Sequence, residues 1–217
     1  FQSKAALLMT ALLLVGGTIL FLIFERDYTL KDTPLGKRIL EAFFMSVTPR
    51  TAGFNTVDIA SMSDASNFLT MILMFIGASP GGTGGGLKTT TVMIVFASMV
   101  AYIEGRDEPI AGHHRIAKDT LVKALSALAM YVIPTTIGTM VLCAQEIPFM
   151  NSAYESLSAI GTVGLTTGIT PSLPMASKIA MISLMYIGRV GSMSMFTAFS
   201  LGHKNTGLKR PIGELVV

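Results

Sequence analysis

Thr51-Ala52-Gly53-Phe54-Asn55-Thr56 and Thr162-Val163-Gly164-Leu165-Thr166-Thr167 are two stretches of this chain that lie 111 residues apart. The same shift, without a gap, lays Leu73-Met74-Phe75-Ile76-Gly77 on Leu184-Met185-Tyr186-Ile187-Gly188. Over 51–77 against 162–188, 10 of 27 positions are identical, far more than chance allows in this composition. A repeat of this kind fixes the unit of architecture before any single element is assigned. In front of each turn lies a short helical stretch, 38–47 broken at Pro49 and 152–160 broken at Gly161. Neither is long enough to cross a bilayer. The repeated unit therefore reads as helix, short dipping helix with a small-residue turn, helix.

Composition supports a membrane setting for that unit. Of 217 residues, 51% are apolar and 13% charged, against about 25% charged in soluble domains, and the mean hydropathy is +0.61. Residues 5–24 and 124–144 are uncharged runs long enough to span, the second with Pro134 as an expected kink. Residues 179–201 form a third run interrupted only by Arg189. The run 65–103 is too long for one straight crossing and carries glycines near its middle, which predicts two helical pieces around a non-helical stretch. Open backbone at membrane depth occurs only where it lines a cavity or is buried in protein. The net charge of +3 is spread along the chain, which excludes a nucleic-acid-binding tail, and one cysteine excludes an intrachain disulfide. Basic residues on the side of Lys88, Arg106 and Arg115 outnumber those on the side of Arg26, Lys37 and Arg50, a mild positive-inside bias.

The repeated turn carries the chemistry. Each has threonine two residues before glycine, then a bulky apolar residue, then Asn55 or Thr166. A chain that lines its carbonyls around a dehydrated cation needs extended backbone and a glycine free to take positive φ. Carbonyl rings of this sort replace the hydration shell in potassium filters, whose TVGYG loop Thr162-Val163-Gly164-Leu165-Thr166 partly matches.

Three stretches, together with Gly188-Arg189-Val190-Gly191, carry a family resemblance. They are Thr48-Pro49-Arg50-Thr51-Ala52-Gly53-Phe54-Asn55-Thr56, Gly77-Ala78-Ser79-Pro80-Gly81-Gly82-Thr83-Gly84-Gly85-Gly86-Leu87-Lys88-Thr89-Thr90 and Ser158-Ala159-Ile160-Gly161-Thr162-Val163-Gly164-Leu165-Thr166. Over essentially its whole length the chain resembles the C-terminal half of a membrane subunit of the Trk/Ktr/HKT superfamily of potassium transporters, the bacterial Ktr subunit above all. The resemblance implies an all-α membrane protein with two helix–re-entrant pore loop–helix repeats, half of a pseudo-fourfold potassium-channel-like pore. The expected divisions are 1–110, 111–202 and a cytoplasmic tail, 203–217. It also implies two further repeats ahead of these, and the missing initiator methionine agrees with a fragment.

The function so implied is potassium uptake across a bacterial plasma membrane by a multi-pass, pore-forming subunit, with sodium as a second candidate cation and no organic cofactor. Thr51, Ala52, Gly53, Phe54, Asn55, Thr162, Val163, Gly164, Leu165 and Thr166 would form the ion-binding filter. The partners implied are a second copy of the chain, the lipid bilayer and a cytosolic ring of nucleotide-binding regulatory subunits.

In the same family the stretch matching Ser79, Pro80, Gly81, Gly82, Thr83, Gly84, Gly85, Gly86 and Lys88 is an intramembrane gating loop beneath the filter. Its glycines suit that role, having no side chains to block a vestibule and many backbone states. A phosphate-binding loop is the rival reading, but Leu87 separates Gly86 from Lys88 and an apolar helix rather than a strand precedes it. Arg189, in the middle of the 179–201 run, costs about 2.5–3.5 kcal/mol to insert and should face a pathway or a partner. The repeat register sets it against Ala78, level with the gate. Glu41 and Glu155 sit in the short helices, for local hydrogen bonding or for attracting cations. A membrane enzyme lacks convergent acid, base or metal groups here. A structural or assembly subunit without its own pore stays open as the alternative.

Overall fold

The computed structural model describes residues 2–81, 84–106, 109–111 and 114–191, and its architecture is helical apart from one two-residue hairpin. Gly82, Thr83, the end of the 179–201 run and the tail lie outside the described residues. The first helix, α1 (Gln2–Phe24), is built from the uncharged run and leaves Leu7, Leu8, Leu12 and Val15 at least 60% exposed, a face suited to hydrocarbon. Pro34 then starts α2 (Leu35–Val47), whose amphipathic pattern buries Ala42, Met45 and Ser46. Pro49 cannot continue that helix, because it offers no N–H and clashes with the preceding turn.

A single 3₁₀ turn at Ile59–Ser61 leads to α3 (Asp64–Phe75), whose first turn is capped by the Ser63 hydroxyl accepting from Ser66 N at 3.2 Å. After a non-helical stretch the chain resumes as α4 (Thr89–Ile103). A hairpin, β1 (Ile110–Ala111) against β2 (His114–Arg115), connects to α5 (Lys118–Cys143). The last described elements are α6 (Phe149–Ile160), started by Pro148, a 3₁₀ turn at Thr170–Ser172, and α7 (Met175–Val190), started by Pro174.

Contacts run α1 to α2 and α5 to α6 to α7, and α3 of the first unit also packs on α6 of the second. Small residues let the long helices approach the short ones, where van der Waals fit replaces a hydrophobic driving force. A Cβ on Gly17 would come 2.4 Å from Ser46 Oγ, and one on Gly188 would come 2.0 Å from the Ile160 carbonyl oxygen. The Ser46 hydroxyl, fully buried, donates back to Leu14 O at 2.9 Å.

The helix that holds the 124–144 run begins at Lys118 and includes Pro134. Two expectations need correction. Arg189 is not the midpoint of a long helix: it occupies the last turn of α7, which ends at Val190 with Gly191 at φ +79°. A cation there sits at the negative end of the helix dipole, a more favourable place than a helix centre. Arg50, grouped by sequence with Lys37, instead reaches Thr10 Oγ1 at 3.3 Å, and Thr10 in turn meets Ser79 Oγ at 3.3 Å. That brings Arg50 to the start of the glycine-rich stretch.

Candidate functional site: two turns over a glycine-rich loop

Each short helix runs directly into a turn. In the first, Thr51 is at φ +73° and Gly53 at +76°; in the second, Thr162 is at +54° and Gly164 at +91°. Left-handed φ in a β-branched residue is a genuine outlier, costly unless the surroundings enforce it. Here it occurs twice, at positions related by the 111-residue shift. The backbone, not only the sequence, repeats.

The turns lie against each other. A Cβ on Gly53 would stand 2.1 Å from the Val163 carbonyl oxygen, so that close approach requires glycine. Just ahead of the turns, Ala52 N and Gly53 N donate to Thr48 O at 3.1 and 3.2 Å, and Val163 N donates to Ser158 O at 2.9 Å. The C-terminal ends of α2 and α6, with their partial negative charge, thus face the turns. Such a place favours a cation. Among the described residues no three His, Cys, Asp or Glu come together as a metal site, and the turns themselves carry backbone carbonyls and the Thr51 and Thr162 hydroxyls.

The rest of the predicted filter residues are distributed unequally. Val163 and Leu165 are buried in a cluster with Ile59, Met71, Met74 and Tyr154, while Phe54 is 70% exposed. Asn55 Nδ2 donates to Val57 O, two residues on, at 3.4 Å. Thr166 Oγ1 donates to Glu155 Oε1 at 2.5 Å. That carboxylate also accepts from Thr167 N at 2.9 Å, Thr167 Oγ1 at 3.3 Å and Thr170 Oγ1 at 2.9 Å. Glu155 therefore binds the segment leaving the second turn. Glu41 instead makes an i,i+4 surface pair with Lys37 at 3.5 Å.

The glycine-rich stretch sits directly against the threonines of both turns. Gly85 N donates to Thr162 Oγ1 at 2.9 Å, and a Cβ on Gly84 would be 2.7 Å from Thr51 Oγ1. Its neck is closed by a parallel bridge between Ile76 and Leu87, with Leu87 N donating to Phe75 O at 3.1 Å. Lys88 Nζ donates to Gly84 O at 2.6 Å. Ser79 also receives a long contact from Thr89 Oγ1 at 3.5 Å, beside its contact with Thr10. Gly81 is at φ +94° with open space around it. Arg189 is exposed on α7.

Sequence reading missed Thr48 and Ser158. The Thr48 hydroxyl donates to Phe54 O, and Ser158 Oγ donates to Leu165 O at 2.6 Å. A gap of one residue would have aligned them, since they are 110 rather than 111 residues apart.

Residues 2–207 match the family described as TrkH, cation transport protein. The chain belongs to that family. Among curated relatives, it is 46% identical over 206 residues to the potassium/sodium uptake protein NtpJ of Enterococcus hirae, covering 92% of this chain and 45% of the relative. It is 32% identical over 220 residues to the Ktr system potassium uptake protein B of Bacillus subtilis, covering 99% of this chain and 49% of the relative. The chain thus spans about half the length of these relatives. Its fold is that of the crystal structure of the potassium transporter TrkH from Vibrio parahaemolyticus, with a TM-score of 0.68 at 20% identity over 91% of this chain and 43% of the other. Membership in this family makes the chain part of a membrane transport protein. Two of its described helices, Ser3–Phe24 and Lys118–Cys143, are long and apolar enough to cross a bilayer, and Asp64–Phe75 and Thr89–Ile103 are shorter apolar helices.

Proposed function

We propose that this chain supplies two walls of a cation pore that takes up potassium, with sodium as a second permeant ion, across a bacterial plasma membrane. The observation that carries the reading is the pair of left-handed Thr–Gly turns at the C-terminal ends of two short helices, stacked over one glycine-rich loop. The carbonyls of Thr51, Ala52, Gly53, Thr162, Val163 and Gly164 replace the ion's water shell. Two helix–re-entrant loop–helix repeats make half of a pseudo-fourfold ring, and two like units complete it. The relatives' greater length and their names as potassium or potassium/sodium uptake proteins support this.

Residues 79–88 act as the gate beneath the filter. Contact of Gly84 and Gly85 with Thr51 and Thr162 supports that role, since any ion leaving the turns meets this loop first. Arg189 adds a fixed positive charge on the same route. The assembled transporter is a homodimer resting on a cytosolic ring of nucleotide-binding regulatory subunits. The basic segment 106–118 and the tail 203–217 face that ring.

The test is potassium and sodium uptake by the intact protein carrying Gly53→Ser or Gly164→Ser. The half-saturating potassium concentration should rise and discrimination against sodium should fall. Wild-type affinity and selectivity in both variants would show that these turns are not the filter. For the gate, Arg189→Ala, and separately deletion within 81–86, should raise maximal flux per inserted protein with the half-saturating concentration unchanged.

A further inference from the structure

We infer that Thr48 and Ser158 are positioning residues of the ion path, hydroxyl latches that turn the carbonyl after each left-handed glycine away from the ion. The inference rests on the filter reading above and narrows it. Phe54 O accepts from the Thr48 hydroxyl and Leu165 O accepts from Ser158 Oγ. Each hydroxyl comes from the last turn of the short helix or its cap, behind its own turn. A carbonyl drawn back onto that helix is directed away from the space the turns enclose. The run of carbonyls open to an ion therefore ends at Gly53 in one wall and Gly164 in the other. Phe54 and Leu165, both counted among the filter residues from sequence, are struts of the filter rather than ligands.

Two features make the latch more than a chance contact. Thr48 and Ser158 are 6% and 4% exposed, so their hydroxyls have little access to water and are committed to the partners they have. The contact also recurs although its spacing differs. Thr48 reaches six residues ahead and Ser158 seven. A merely copied local motif would keep its spacing. What is kept instead is the destination, the carbonyl following the left-handed glycine.

The test uses Thr48→Val and Ser158→Ala, which remove the hydroxyl with little change of shape, and Thr48→Ser and Ser158→Thr, which keep it. Rubidium and sodium uptake are measured in the intact protein, per amount inserted in the membrane. Loss of either hydroxyl should raise the half-saturating rubidium concentration and lower rubidium-over-sodium discrimination by about two- to tenfold, the range one hydrogen bond is worth. The hydroxyl-keeping variants should stay within about twofold of wild type on the same scale. Should Thr48→Val fail to accumulate, Ser158→Ala carries the same test. Gly53→Ser and Gly164→Ser run in parallel. Altered selectivity in the glycine variants with none in the hydroxyl-loss variants overturns the latch and leaves the filter standing. No change in either set overturns both. A loss of maximal flux alone, with selectivity intact, makes these hydroxyls structural and also overturns the inference.

Discussion

The first and second turns share a backbone trace and differ in their support. Leu165 is 4% exposed and Phe54, its repeat mate, is 70% exposed. The second turn leans on Met71 and Met74, which α3 brings across from the first unit, and is bound from its own side by Glu155. Around the first turn, the described contacts are the Thr48 latch, the backbone bonds of Ala52 and Gly53 to Thr48 O, the close approaches to Val163 and Gly84, and the short-range reach of Asn55, with no carboxylate among them. The second turn is thus held by two walls, its own short helix α6 and α3.

If that is the source of the difference, substitutions at matched positions should have unequal costs. The largest gap is expected between Leu165→Ala and Phe54→Ala. Truncating a buried leucine costs about 2–5 kcal/mol, and should lower the melting temperature of the detergent-purified protein well below that of the Phe54 variant. Comparable losses at both sites would mean that something equivalent to α3 covers Phe54 in the assembled protein, which would sharpen the two-wall picture. Next comes Glu155→Ala against Asn55→Ala. Removing the buried Glu155 carboxylate and the four donor contacts it accepts should cost about 1–3 kcal/mol, whereas the exposed Asn55 contact should cost under ~0.5 kcal/mol. Equal melting temperatures would break the claim that Glu155 braces the second turn.

A third comparison separates strain from collision. Alanine at Gly53 or Gly164 meets the same left-handed cost, about 1–2 kcal/mol. At Gly53 the new Cβ also collides with the Val163 carbonyl, while at Gly164 nothing lies within 4 Å. Gly53→Ala should therefore be the more destabilised of the two, and the reverse order would mean that the turns do not touch.

The smallest effect concerns acid. Glu25, just past α1, is fully buried and accepts from Ser63 N and Oγ at 2.9 Å and from Thr29 Oγ1 at 2.6 Å. Burial pushes its carboxyl upward, but hydrogen bonds from Ser66, Thr29 and Ser63 outweigh this and hold it below the ordinary 4.5. Its stabilisation is complete above that ordinary value and is lost as pH falls through the lowered one. As pH falls from neutral to the acid side of 4.5, the wild type should lose stability that Glu25→Gln does not lose. Parallel pH profiles of melting temperature would rule Glu25 out as the group responsible.

The position of the two turns was legible in sequence because its constraint is local: the left-handed backbone at Gly53 and Gly164 calls for glycine. The short helices were legible because proline and glycine end them. What escaped was set by packing between distant segments. An ungapped shift of 111 lays Thr48 on Ala159 and so hides Ser158. Hydropathy carried the third run to Leu201 across Gly191, because apolar residues continue where the described helix does not. The bracing by Glu155 has no signal in spacing, since its donors lie 11 to 15 residues on.

The glycine-rich loop is joined at its neck, where Ile76 meets Leu87 and a Cβ on Gly77 would stand 2.2 Å from Gly85 O. Closing a loop costs entropy chiefly when its ends must be brought together, and that cost rises only by about 0.6 kcal/mol for each doubling of length. Here the ends are already joined by backbone contacts that do not involve the tip. Insertions or deletions beyond the neck therefore change how far the loop reaches while barely changing the stability of the helices on either side. Its length is thus nearly free with respect to the stability of the helices around it.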